Sequence, residues 1–109
     1  MNSLTKTSIM NNFTEKEQRI VIAILLAIME ADDIIDPQET IFLDNIIKQF
    51  NMSQDELDQI SEYDLNLVFQ EFKKFDNSKK LISKELFVGM AKCDGFVDPR
   101  ELKIIENLG

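Results

Sequence analysis

The stretch "ADDIIDPQE" (residues 31–39) follows a very apolar segment, and "KCDGFVDPRE" (92–101) nearly repeats it toward the other end of the chain. A shift of 62 positions places Asp32 on Asp94, Ile35 on Val97, Asp36 on Asp98, Pro37 on Pro99 and Glu39 on Glu101. The match extends outward, with Ile24 on Leu86, Leu26 on Val88, Leu43 on Ile105 and Ile46 on Leu108. An apolar helix, an acidic turn and a second helix, written twice, predict two duplicated helix-loop-helix units in one small all-α bundle.

Most of the phrase has a folding role. Asp33 or Gly95 comes just after the first helix, where a left-handed residue reverses the chain, and Ile35 or Val97 then points inward. Asp36 and Asp98 are expected N-caps, and Pro37 and Pro99 take the first helical position, where a missing amide does no harm. Glu39 and Glu101 complete capping boxes. Asp32 and Asp94 have no such role, because an acid at a helix C-terminus faces the negative end of the dipole. Two readings follow. Neighbouring helix N-termini satisfy these acids, or Asp32, Asp36 and Glu39, with Asp94, Asp98 and Glu101, offer oxygens to a hard divalent cation, Ca²⁺ or Mg²⁺.

An EF-hand is excluded by spacing. Counted from Asp32, the third, sixth and twelfth positions hold Ile34, Pro37 and Leu43; in the other copy they hold Phe96, Pro99 and Ile105. The EF-hand loop requires glycine at the sixth and glutamate at the twelfth.

The remaining elements follow from caps and periodicity. "TEKE" (14–17) is a capping-box pattern that opens a helix running through "IVIAILLAIM" (20–29), apolar on every side and therefore central. Phe42, Leu43, Ile46, Ile47 and Phe50 make the stripe of an amphipathic helix over 37–50. "SQDE" (53–56) starts a short helix carrying Leu57 and Ile60, and Asp64 caps one whose stripe is Leu65, Val68, Phe69, Phe72 and Phe75. "DNSKK" (76–80) starts a helix ending near Cys93, and the last runs from Pro99 to about Leu108. No segment alternates as a strand, and the flanks of Asp94 and Gly95 do not suit a hairpin. The expected core includes Ile24, Leu25, Ile28, Phe42, Ile46, Phe69, Phe72, Leu86 and Ile105. Residues 1–13 read as a polar lead segment and 14–109 as the helical domain.

Composition removes whole classes of function. The chain has 109 residues, 44% of them hydrophobic, enough for one core. Its longest apolar run is half the roughly 20 residues of a membrane span, and its start lacks the apolar h-region of a secretory signal; the expectation is a cytoplasmic protein. A net charge of −8 opposes nucleic-acid binding and favours cations or basic protein surfaces. There is no histidine and one cysteine, Cys93, so Ser-His-Asp, Cys-His and His-based zinc or di-iron chemistry cannot be built. Cys93 aligns with Ala31 and reads as a small packing residue. The lysine pairs 73–74 and 79–80 read as solvated helix ends or a small basic patch.

The two phrases, each after an apolar helix, resemble the tellurite-resistance TerB-like family, whose pattern is Ala-Asp-Gly, an acid-rich turn and a Glu opening the next helix. The resemblance covers residues 18–108, and "CDGFVDPRE" fits better than "ADDIIDPQE", where Asp33 replaces the glycine. It implies an all-helical duplicated domain that is a non-enzymatic binding or sensing module of bacterial stress response, with a protein partner that is membrane-associated or DnaJ-linked. It also implies that the six acids form divalent-metal or acidic interaction sites. The alternative function is a protein-interaction adaptor whose acids only cap helices and attract a basic partner.

Overall fold

A computed structural model describes residues 13–31, 36–92 and 99–108. The described residues form six helices: α1 (Glu15–Glu30), α2 (Pro37–Phe50), α3 (Gln54–Ile60), α4 (Leu65–Lys73), α5 (Asn77–Lys92) and α6 (Pro99–Asn107). They contain no strand and no helix long and apolar enough to cross a membrane. The lead segment 1–12, Asp33 and Gly95 at the reversals, Ile35, Val97 and Cys93 lie outside the described residues.

Helix starts obey the local chemistry. Thr14 Oγ1 accepts the Glu17 amide at 3.1 Å, and the Glu17 carboxylate accepts the Thr14 amide at 2.8 Å, a complete capping box. Asp36, Asp64 and Asp76 each accept an amide of the first turn that follows, at 2.7, 2.8 and 2.8 Å. Ser53 Oγ accepts the Glu56 amide at 3.2 Å and its hydroxyl donates to the Glu56 carboxylate. α2 stops at Asn51, whose φ of 57° is the left-handed conformation asparagine tolerates, with the next amide, Met52, reaching back to the Ile47 carbonyl.

The repeat is visible in the packing. α1 and α5 begin and end 62 positions apart, pack on each other, and each touches the second helix of the opposite unit, α1 with α6 and α5 with α2. That reciprocal crossing is the signature of two-fold related units. Equivalent positions are buried alike: Leu25 and Phe87, Ile28 and Met90, Ile46 and Leu108. Two residues also meet their own equivalents, which happens only near the axis. Phe13 lies 6.2 Å from Phe75 between ring centroids, and Lys79 bonds Glu17.

The symmetry breaks where α3 and α4 are inserted between the units. Both pack on α1, so Ile22 and Ala23 are buried there, while their α5 equivalents are Lys84 and the exposed Glu85. This explains why α1 is apolar all round and α5 is not. Of the expected core, Ile24, Leu25, Ile28, Ile46, Phe72 and Ile105 are buried, whereas Phe42, Phe69 and Leu86 are half-buried and pack against it. Phe13, ahead of the first helix, is buried between Phe50 and Phe75.

Candidate functional site

Of the six expected acids, Asp32, Asp94 and Asp98 lie outside the described residues. Asp36 is the N-cap of α2, with Oδ1 held by the Gln38 amide. Glu39 and Glu101 occupy equivalent places in the first turns of α2 and α6, and each is only 2% exposed. Both residues have interaction partners. Among the described residues no group of three or more acids, cysteines or histidines comes together to hold a metal ion. Asp36 therefore has one oxygen committed to its helix, and the two glutamates face the interior, where a charge persists only when it is satisfied.

The open concavity lies elsewhere. A hollow of about 310 Å³ runs between α1 and α4, floored by Ile20 and Val68 and walled by Arg19, Tyr63, Leu67 and Glu71. On the far side of Tyr63 a second hollow of about 230 Å³ continues over Ala23, Leu26 and Ala27 to Glu30, bordered by Leu65. The two hollows lie in line along α1, share Tyr63 between them, and are referred to together as the groove. Ala23 and Ala27, three and seven positions after Ile20, are small and leave the second hollow its space.

The walls are charged and largely paired. Lys16 contacts Glu71 at 3.2 Å, and Arg19 approaches Glu56 at 3.7 Å. Hydrogen bonds from Lys16 and then Lys74 hold the Glu71 pKa below the ordinary carboxylate value. The end of the groove beside Leu65 is acidic: Glu30 and Asp64 line it, and Glu62 stands between the lining residues Ser61 and Tyr63.

Sequence periodicity assigns Leu65 to the inward stripe of α4, but Leu65 is 44% exposed and Leu67 59% exposed. Val68 and Phe72 are buried and the leucines flank them: Leu67 is turned about 100° from Val68, and Leu65, though on the same side as Val68, is the first residue of α4, at the edge of what the helix covers. The signal in the sequence was the second leucine itself, apolar where the stripe calls for a polar residue.

No protein-family model, curated protein or solved structure matches this chain.

Proposed function

We propose that the protein is a non-enzymatic helical binding module that docks another protein through the groove between α1 and α4. The observation carrying this reading is an apolar concavity bordered by two exposed leucines and an acidic rim; large apolar side chains gathered at a hollow mark interaction sites more often than they mark accidents of the surface. The net charge of −8 supports a basic partner. The doubled acidic phrase, resembling TerB-like domains, supports the same class of function, a stress-response module without catalysis. The cap on Asp36 and the burial of Glu39 and Glu101 favour a structural role for these acids over cation ligation.

Site-specific photocrosslinking tests the reading. Benzoylphenylalanine at position 67, beside the groove, captures a partner in the host cell, and the same residue at position 48, on the outer face of α2, does not. Equal capture at both positions, or none at 67, overturns it.

A further inference from the structure

Three of the four large apolar side chains most exposed among the described residues fall in two patches: Leu65 and Leu67 on α4, and Leu81, 63% exposed, on α5. At 100° per residue, Leu81 points away from the buried Ser83, Phe87 and Met90, into solvent. Its equivalent in the first repeat, 62 positions earlier, is Arg19, which lines the groove beside α4. α5 thus leaves open the face on which α1 receives α4.

The two patches are also opposite in charge. α5 carries Lys79, Lys80, Lys84 and Lys92 against Glu85 alone, within a chain of net charge −8. Lys79 is committed to Glu17, and the other lysines make no ion pair among the described residues. At the Leu65 end of the groove Glu30, Glu62 and Asp64 make none either among those residues.

We propose that the groove's occupant includes a second copy of this chain, which docks its α5 face, led by Leu81, against Leu65 and Leu67 at the acidic rim. The proposal takes its location from the groove reading above and adds the partner. Plug and socket are different surfaces, and because α1 and α5 pack on each other, their outward faces point apart. A contact of that kind is heterologous and cannot close as a two-fold dimer, so successive copies add head to tail, into a ring or an open chain. A single leucine with its charged neighbours makes a small interface, below the roughly 1,200 Å² of stable complexes, so the association is transient.

Complementary variants of the full chain test this by sedimentation velocity at concentrations up to about 1 mM. Leu81→Ser removes the plug and Leu67→Ser the socket; both positions are exposed, and circular dichroism verifies that the helices are kept. The wild-type mass average is expected to rise with concentration past the dimer. Each variant alone stays monomeric, and an equimolar mixture stops at a one-to-one dimer, because one intact plug and one intact socket remain. A wild type that stays monomeric, one that levels off at a dimer, or variants that associate as the wild type does, each overturns the proposal. A monomeric wild type that still crosslinks a different protein at position 67 removes the second copy as occupant and leaves the groove reading standing.

Discussion

Lys79 donates to both carboxylate oxygens of Glu17, at 2.9 and 3.1 Å, and the two residues stand 62 positions apart, the shift that lays one repeat on the other. Each is the third residue of its helix, after the caps Thr14 and Asp76. Equivalent positions with opposite charge have become partners across the axis, which identical halves could not achieve. Partial burial works to raise the Glu17 pKa, but the Thr14 amide and Lys79 outweigh it and hold the pKa below its ordinary value. The hydrogen bond to Glu17 raises that of Lys79, against some desolvation.

The pair therefore has a pH window. The Glu17 contribution is present above the ordinary carboxylate value of 4.5 and disappears as pH falls through the lowered folded value; that of Lys79 disappears as pH rises above 10.5 through its raised value. Lys79→Met is expected to lower the melting temperature at neutral pH and to lower it less under acid, where Glu17 is protonated in both proteins. A melting deficit independent of pH would show that the lysine acts through packing alone.

Glu39→Ala and Glu101→Ala should be destabilising to similar degrees, about 1–3 kcal/mol each, the range for leaving a buried polar partner unsatisfied. Equivalent depth in two related units is the reason. Urea unfolding of both variants decides it, and a small effect at either position breaks the equivalence.

Asp36→Ala should lose about 1 kcal/mol of helix capping and Asp36→Asn almost none, since asparagine caps as well as aspartate. Under the binding-module reading, Ca²⁺ or Mg²⁺ at fixed ionic strength leaves the melting temperature of the original protein unchanged. A metal-dependent rise that shrinks in the Asp36→Asn, Asp98→Asn double variant would restore cation binding at the acidic loops.

Phe13→Ala should cost about 3–5 kcal/mol and Ile28→Ala about 2–5 kcal/mol, while Lys48→Ala should change little. Phe13 closes an aromatic group with Phe50 and Phe75, and Ile28 is fully buried in α1. Chemical denaturation of the three variants measures the differences.

The helices were legible because caps and stripes are local: Thr14, Asp36, Ser53 and Asp64 each announce a start that the structure contains. The repeat was legible because duplicated units keep their inward residues in register. Three things were not. Glu39 and Glu101 read as surface caps, since burial of an acid depends on what covers the loop and not on its spacing. Leu65 read as core, because a stripe does not say how much of itself a short helix will bury. The groove depends on how far α4 reaches across α1, a tertiary quantity with no local signature.

The position of α1 bears on how the molecule breathes. It touches every other helix, so no neighbour can be lifted away without disturbing it, yet it cannot open while any of them stays in place. Amide hydrogens at Val21, Ile24, Leu25 and Ile28 should consequently exchange with solvent only when the whole chain unfolds, while those of the nine-residue α6 exchange through local fraying. The protein should therefore show one slow-exchanging rod surrounded by faster helices.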